Sequence, residues 1–395
     1  MAVKSWVITC AGCTAHPARA AGVHGIDSAR TEGGELRVAR PRIKDVARHA
    51  GVSEKTVSNV LNDYVHVSER TRRVVQEAID HLGYRINLAG RHLRSGRTGI
   101  IALVVPELDV PYFAELARHV VREAEKRSLT VLIHQSGADR EREKAALAGF
   151  GSDFVDGVIL SPLALAPDDL RAHTGPPPTV LLGELLNEGA DHVAIDNERA
   201  AREATAHLLA LGRRRILTVG GRDDGCVGTA QARTRGFRLA LAEAGVPYDP
   251  ASLLPVEAFH MSDGAEAVRR VLDEGVRPDA LLCLNDQLAL GALRALHGYG
   301  ARVPEDVAVI GFDDVEGGRY SVPSLSTVAP DKEAVARVAV DLLLHRIDEA
   351  TRPGEAGAAS PVSPVSPVSP QDRVVAHRLV LRESTEGSGG RDGVW

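Results

Sequence analysis

Apolar residues recur at helical spacing on both sides of Gly51, which predicts two short helices joined by a three-residue turn within Ile43–Asn62. Glycine suits this turn because a residue without Cβ adopts positive φ at little steric cost. Ser53 stands where the N-cap of the second helix belongs. A third amphipathic helix is predicted from Ser68, another N-cap candidate, to Gly83. This arrangement is typical of a helix-turn-helix, whose second helix lies in the major groove of DNA.

From Gly99 onward, short apolar runs alternate with amphipathic segments, a pattern that predicts an α/β fold with parallel sheets covered on both faces. Ten strands are more than one small domain holds, so we expect two α/β lobes with a cleft between them. The amphipathic segments Leu116–Arg127 and Ala201–Leu211 are predicted helices. The predicted strands are Ile100–Val105, Thr130–His134, Gly157–Leu160, Thr179–Leu182, His192–Ile195, Ile216–Gly220, Leu253–Val256, Ala280–Leu284, Val307–Gly311 and Val374–Arg382.

Charge is distributed unevenly along the chain. The segment Arg40–Arg97 holds twelve Lys or Arg and six Asp or Glu, a balance of +6. The whole chain carries −6, so the remainder carries −12. A basic module on an acidic body is typical of a DNA-binding head.

Five stretches, by their order and spacing, resemble the LacI/GalR family of bacterial transcription regulators over roughly Arg42 to Thr385. They are IKDVARHAGVSEKTVSNVLN, GYRINLAGRHLRSGRTGIIALVVP, ARTRGFRLAL, LLCLNDQLALGALRALHGYGARVPEDVAVIGFDD and VAHRLVLREST. The resemblance implies a three-helix head and a core like that of periplasmic binding proteins, whose chain crosses between the lobes three times. It also implies a cytoplasmic homodimeric repressor that binds double-stranded operator DNA and a small-molecule effector, a sugar or a nucleoside.

On this basis we expect six segments. They are a disordered extension at 1–40, a helix-turn-helix domain at 41–84, a hinge helix or linker at 85–97, a two-lobed effector-binding and dimerisation domain at 98–385, a low-complexity Ser/Pro/Val insert at 353–370, and a disordered tail at 386–395. The extension shows no periodic pattern, as expected if the start codon is placed too early. The insert repeats SPV, and each proline removes a backbone donor and fixes φ.

The second helix of the head carries the candidates for reading bases. Glu54 can accept from a cytosine amino group, Lys55 can donate to guanine, and Asn59 can pair with adenine. A second set of polar residues is expected to bind phosphates or to cap helices: Ser53, Thr56, Ser58, Asn62 and Arg72. For Thr56 and Ser58 a purely structural role is equally compatible with the sequence.

The resemblance also implies a hinge in which Arg91 contacts the DNA and Leu93 inserts as a wedge into the minor groove. The sequence departs from the family here, because Ile86 and Gly90 stand where proline and alanine are common. A glycine inside a helix is about 1 kcal/mol less favourable than alanine, so this hinge depends more on dimer contacts. A plain flexible linker is the alternative.

Six residues are implied as effector contacts: Tyr112, Phe113, Asp196, Arg233, Phe259 and Asp286. Paired donors and acceptors beside an aromatic face are what a hydroxyl-rich ligand requires. Structural alternatives remain for three of them. Asp286 can cap a helix, Arg233 can form a surface ion pair, and Phe259 can fill the core.

Other classes of protein are disfavoured. No apolar run approaches the ~20 residues that cross a membrane. The chain lacks the dinucleotide-binding, nucleophile-elbow, zinc-protease and Walker motifs, so we expect neither an enzyme nor a cofactor. Cys10 and Cys13 have metal-site spacing but no second pair, so no metal is expected. A solute-binding protein would lack the head, and a non-specific DNA binder would leave the cleft without purpose.

Overall fold

The computed structural model describes residues 41–61, 64, 66–84, 97–151, 154–173, 175–183, 189–223, 228–351 and 369–387. The chain divides into two compact units, one up to residue 86 and one from residue 87. Several expectations lie outside the described residues: those for the extension 1–40, for Asn62, Arg91 and Leu93, for nearly all of the hinge and the insert, and for the tail beyond residue 387.

The first unit contains the three predicted helices, α1 (Ile43–Ala50), α2 (Glu54–Leu61) and α3 (Glu69–Leu82). Gly51 ends α1 in the left-handed region with φ of 67°, as the turn requires. Ser68 caps α3 by accepting a hydrogen bond from the backbone N–H of Thr71. All three helices contribute to one small core of Val46, Ala47, Val57, Val60, Val75 and Ala78.

The second unit alternates strands and helices. In chain order its elements are β1 (Ile100–Val105), α4 (Pro111–Glu125), β2 (Thr130–Gln135), α5 (Arg140–Leu147), β3 (Gly157–Leu160), α6 (Pro167–Ala172), β4 (Thr179–Leu182), β5 (Asp191–Ile195), α7 (Asn197–Ala210), β6 (Ile216–Val219), α8 (Thr229–Glu243), β7 (Leu253–Leu254), α9 (Met261–Asp273), β8 (Ala280–Cys283), α10 (Asp286–Gly298), β9 (Ala308–Phe312), α11 (Glu316–Arg319), β10 (Ser326–Pro330), α12 (Lys332–Thr351), β11 (Asp372–Val375), β12 (His377–Val380) and α13 (Glu383–Glu386).

These elements form two sheets, each of six strands, which confirms the predicted two-lobed α/β architecture. Lobe 1 has the strand order β11-β5-β4-β3-β1-β2, and all its neighbouring strands are parallel. Helices α4 and α12 pack on one face of this sheet, and α5 and α6 contribute to the core on the other. Lobe 2 has the order β12-β10-β9-β8-β6-β7. Its two faces are covered by α7 with α8 and by α9 with α10.

The chain passes between the lobes three times, at residues 195–197, 330–332 and 375–377. The third crossing corrects one prediction. The single strand expected over Val374–Arg382 is two strands, β11 in lobe 1 and β12 in lobe 2, separated at Ala376. Strand β12 is antiparallel to β10, so the second sheet is mixed. The apolar pattern shows that the segment is extended, but it carries no information about which sheet each half joins.

Arg346 of α12 holds together the two ends of the segment that contains the Ser/Pro/Val insert. Its guanidinium donates two hydrogen bonds of 2.7 Å to the carboxylate of Asp191 and one of 3.0 Å to the carbonyl of Ser369. The same carboxylate accepts a 2.8 Å bond from the backbone N–H of Gln371. Asp191 is buried in β5, so this ion pair fixes β11 at the edge of the sheet of lobe 1.

Glycines allow the helices of lobe 2 to approach one another closely. A Cβ on Gly291 of α10 would lie 1.9 Å from the carbonyl oxygen of Met261 in α9, and a Cβ on Gly264 would lie 2.2 Å from that of Leu288. The neighbours are backbone atoms that cannot move aside by rotating a side chain. The position of α9 against α10 therefore depends on these glycines.

In the part of the chain that the structure describes, no helix is both long enough and apolar enough to span a bilayer.

Replacing Gly291 with alanine tests this close packing. We expect Gly291→Ala to lower the free energy of unfolding by about 1–3 kcal/mol, because the new methyl group overpacks the helix interface. The matched control is Gly298→Ala in the same helix, where the nearest atom to a new Cβ is a flexible arginine nitrogen at 3.7 Å. The control should gain up to ~1 kcal/mol from helix propensity. Urea unfolding followed by circular dichroism measures both, and equal effects would contradict the close packing.

Candidate DNA interface and effector site

The first turn of α2 presents two charged side chains and is held by a local cap. Glu54 and Lys55 are exposed, as base contacts require. The backbone N–H of Thr56 donates a 3.1 Å hydrogen bond to the Ser53 hydroxyl, and the two hydroxyls lie 2.9 Å apart. The structure therefore confirms that Ser53 is the N-cap and gives Thr56 a structural contact. Their contacts with DNA stay predictions.

The remaining DNA candidates within the head differ in accessibility. Ser58 and Asn59, further along α2, are partly buried. Arg72 in α3 donates a hydrogen bond of 3.4 Å to the carbonyl of Tyr64, in the connection after α2. This contact ties α3 to the end of α2, so the geometry gives Arg72 a supporting role in addition to the predicted phosphate contact.

Arg233 of α8 lies at the carboxyl ends of the strands of lobe 2. Its Nε donates a 2.8 Å hydrogen bond to Asn197 at the start of α7, and its Nη1 donates to the carbonyl of Leu284. The guanidinium carbon lies 3.9 Å from the ring centroid of Phe312, a cation–π contact. Only 8% of Arg233 is exposed, so the alternative of a surface ion pair is wrong.

Tyr112 brings lobe 1 to the same place. Burial raises the pKa of its phenol, and the nearby carboxyl of Asp313 raises it further, whereas Arg233 acts in the opposite direction. The ammonium of Lys332 lies 5.8 Å from the ring centroid of Tyr112 and donates a 3.2 Å hydrogen bond to the carbonyl of Asp314, so Tyr112 lies near the loop after β9 in lobe 2. Phe113 packs edge to face against Tyr112, with ring centroids 5.3 Å apart, and contacts the core of lobe 1. Phe113 therefore supports the ring of Tyr112.

Other contacts between the lobes are also polar. The imidazole of His260 in lobe 2 lies 3.1 Å from the carboxylate of Glu107 in lobe 1. Glu115 of α4 accepts a 3.1 Å hydrogen bond from the backbone N–H of Glu316 in α11. The other oxygen of the Glu115 carboxylate pairs with the ammonium group of Lys332 at the second crossing.

Phe259 lies between the two cores of lobe 2 and is partly exposed. Its ring approaches Gly220 so closely that a Cβ there would lie 3.1 Å from the ring. Its carbonyl accepts a 2.9 Å hydrogen bond from the side chain of Asn285, which follows β8. The residue therefore fills core space and retains a partly accessible ring at the carboxyl end of β6.

Asp286 has a different environment from the one expected of a ligand contact. It is fully buried, and its carboxyl accepts hydrogen bonds from the Thr327 hydroxyl at 2.7 Å and from the backbone N–H of Val315 at 2.9 Å. Burial raises its pKa, as does the neighbouring Asp313. The alternative that Asp286 is a helix cap is wrong, because Asn285 caps α10 by accepting from Leu288 N–H at 2.8 Å. The contacts make Asp286 a support for the loop after β9.

Asp196 lies at the first crossing between the lobes and is exposed. Its carboxylate caps α7 by accepting a 2.9 Å hydrogen bond from the backbone N–H of Arg199. Arg233 and Phe259 both contact residues that follow β8 at its carboxyl end, whereas the contact of the Asp196 carboxylate with Arg199 is local to α7. An effector contact by Asp196 stays a prediction.

Three polar residues near this site were missed by reasoning from the sequence. Asn197, Asn285 and Asp313 follow β5, β8 and β9 at their carboxyl ends, and each is buried. Burial raises the pKa of Asp313, and the neighbouring charges of Arg233 and Lys332 partly offset this rise. The signal that could have found them is their position, because ligands of open α/β sheets bind where strands end.

Comparisons with known proteins agree with this architecture. Residues 42–87 match the model for bacterial regulatory proteins of the lacI family, and residues 205–385 match that for a periplasmic binding protein-like domain. A relative from Haemophilus influenzae, the HTH-type transcriptional repressor PurR, is 34% identical over 307 residues, which span 77% of this chain and 90% of that protein. The chain belongs to the LacI family. As a member it is a DNA-binding transcriptional regulator and not an enzyme.

Other members of the LacI family resemble this chain along most of its length. The HTH-type transcriptional regulator CelR of Thermobifida fusca is 37% identical over 332 residues, covering 80% of this chain and 95% of that protein. Among solved structures, a LacI-family regulator from Sanguibacter keddieii is 45% identical with a TM-score of 0.65, covering 74% of this chain and all of that one. A CelR–cellobiose complex is 33% identical with a TM-score of 0.60, and the match covers 87% of this chain and 100% of that one. A lac repressor dimer bound to operator and the anti-inducer ONPF is 26% identical with a TM-score of 0.72, and the match covers 88% of this chain and 99% of that one.

The buried carboxyl of Asp286 predicts a pH dependence of stability. Because its pKa is raised, the folded protein keeps a proton that the unfolded chain releases above about pH 4. The free energy of unfolding therefore falls as pH rises towards the folded-state pKa. Asparagine has nearly the same shape and does not ionise, so Asp286→Asn should show a shallower fall with pH. Urea unfolding between about pH 5 and about pH 8 measures the difference, and parallel pH profiles would exclude this assignment.

Proposed function

We propose that this LacI-family regulator is a homodimeric repressor in the cytoplasm, and that an effector bound between its lobes controls its affinity for operator DNA. The observation that carries the proposal is that Lys332 links Tyr112 of lobe 1 to the loop after β9 in lobe 2. Its ammonium lies 5.8 Å from the ring centroid of Tyr112 and donates a 3.2 Å hydrogen bond to the carbonyl of Asp314. A ligand at this place touches both lobes, so it distinguishes between two lobe angles and can bias the DNA-bound state.

The head is proposed as residues 41–84, the hinge as 85–97, and the effector-binding and dimerisation domain as 98–385. Lys55 and Glu54 are exposed at the start of α2, which supports their reading of base edges in the major groove. Asn59 is the third proposed base contact, while Arg91 and Leu93 would act in the hinge. Two heads in a dimer read two half-sites, so the operator is pseudopalindromic.

Exposed apolar residues support the homodimer. Leu132 and Ile133 lie on β2, the edge strand of lobe 1, and are more than a third exposed. In lobe 2 the loop before β10 exposes 80% of Tyr320 and 95% of Val322. Large apolar side chains on both lobes are typical of a surface covered by another protein chain. The lac repressor similar to this chain was solved as a dimer.

The effector is proposed to be a sugar. Arg233 and Asp313 offer a donor and an acceptor for hydroxyl groups, and Phe259 offers a ring on which sugar C–H groups can pack. The similar CelR structure contains cellobiose, and another similar LacI-family structure from Enterococcus faecium contains ribose. A nucleoside is the alternative that a ligand screen distinguishes.

The DNA-reading role is tested by selecting preferred duplexes from a random pool with the full-length protein. We expect Lys55→Gln to change the selected sequence at one position of each half-site, because this side chain is proposed to donate to guanine. The matched control is Lys44→Gln, an exposed lysine on α1. The control should keep the wild-type sequence, with at most a uniform loss of affinity and a smaller salt slope. Failure of the wild type to select any sequence would refute the proposal.

The effector site is tested by a thermal-shift screen of sugars and nucleosides followed by titration. A ligand present at 100 times its Kd should stabilise the wild type by about 2.7 kcal/mol. Phe259→Ala should weaken that ligand at least about tenfold while leaving effector-free operator binding intact, since the ring is proposed to contact the ligand. Phe154→Ala, which removes a phenylalanine that is 53% exposed in lobe 1, is the control. Equal affinities in both variants would count against a role for Phe259.

A further inference from the structure

A cavity of about 550 Å³ lies between the lobes, and its lining does not include Tyr112, Arg233, Phe259 or Asp313 of the effector site. Two of the three crossings form its wall, through Pro330 and Lys332 of the second and Ala376 and His377 of the third. Helix α4 of lobe 1 closes another side. A ligand in this cavity would therefore contact the segments about which the lobes move.

Three arginine side chains surround the carboxylate of Asp314 at the lobe-2 side of this cavity. The carboxylate is buried and accepts from Arg382 at 2.7 Å and from Arg319 at 2.8 Å, while Arg378 lies 3.9 Å away. The guanidiniums of Arg382 and Arg319 hold the pKa of Asp314 below its usual value despite its burial. One carboxylate thus faces three guanidiniums. Arg319 and Arg378 remain 52% and 73% exposed.

The other acids of the lining are mostly engaged. Both oxygens of Glu115 are occupied, one by the backbone N–H of Glu316 and the other by Lys332. Asp331 caps α12 by accepting a 2.9 Å hydrogen bond from Ala334 N–H. The lining contains four acidic residues and four Lys or Arg residues, besides two histidines, and Glu333 is an exposed acid. The cavity is therefore balanced in formal charge but has few acceptors without a donor.

Two basic side chains of α4 complete the lining. Arg118 is exposed, and no residue in the described ranges pairs with its guanidinium. The adjacent imidazole of His119 has a lowered pKa, first because of burial and then because of Arg118, while Glu333 acts in the opposite direction. His377 across the cavity is bonded to Glu203 at 3.1 Å. Donors therefore outnumber available acceptors on both sides of the cavity.

We propose that this cavity is a second small-molecule site, which takes a compact anion of two or more charges, such as a phosphorylated or dicarboxylic metabolite. Arg118, Arg319 and Arg378 supply the charge-assisted hydrogen bonds. The ligand joins α4 of lobe 1 to the arginines of lobe 2, so its binding opposes changes in lobe angle. Binding itself does not depend on the proposed repressor function, whereas its influence on operator affinity does.

The test is isothermal titration of full-length protein with pyrophosphate and, separately, with malonate at constant ionic strength. The wild type should bind at least pyrophosphate, and the double variant Arg118→Gln/Arg378→Gln should lose at least about tenfold in affinity. Both arginines are exposed, so the fold should tolerate the changes. Arg337→Gln, an exposed position on α12 outside the cavity, is the matched control and should bind like the wild type.

The outcomes separate the possibilities. Binding of both anions identifies a compact anion of two or more charges as the ligand, and binding of pyrophosphate alone identifies a ligand with phosphate groups. Absence of binding to the wild type overturns the site. Equal binding by the wild type, the double variant and the control also overturns it, because the anion would then bind elsewhere, for example to the basic head. If pyrophosphate binds here but operator affinity is the same with and without it, the site stands and its coupling to DNA is wrong.

Discussion

One buried carboxyl group, that of Asp286, positions the loop that carries both Asp313 of the effector site and Asp314 of the 550 Å³ cavity. It accepts hydrogen bonds from Thr327 in β10 and from the backbone of Val315, and so joins α10, β10 and the loop after β9. That loop carries Asp313, whose pKa is raised by burial although the charge of Arg233 opposes this rise, and Asp314, whose carboxylate pairs with Arg382 and Arg319. Removing this group would leave buried donors without partners, which is costly in a low-dielectric interior.

The contacts between the lobes differ in kind from those within them. Each lobe is held by aliphatic side chains that exclude water, whereas the lobes meet through Glu107 with His260 and through the carboxylate of Glu115 with the backbone N–H of Glu316. A packed apolar interface resists sliding, but charged groups exchange partners with water at a small net difference in free energy. The fold therefore combines two rigid bodies with a junction whose geometry a ligand can bias.

Much of the fold could be predicted because local signals agree with it. The caps at Ser53 and Ser68 fix where helices begin, and the apolar runs fix most strands. The site was harder to predict. Asn285 and Asp286 are adjacent and chemically alike, yet the first caps α10 and contacts the backbone of Phe259, and the second is buried beneath the loop. The residue types alone do not reveal which of these two adjacent side chains points into the interior, because that orientation depends on tertiary packing.

The ion pair of Arg346 with Asp191 has a consequence for how this chain tolerates variation in length. Arg346 belongs to the helix before the insert, and its guanidinium bonds to Asp191 and to the carbonyl of Ser369 near the end of the insert, so the two ends are held together whatever number of residues separates them. Doubling the length of a connection between fixed ends adds only about 0.6 kcal/mol of closure entropy. Triplets can therefore be gained or lost at this point during evolution without disturbing the third crossing between the lobes.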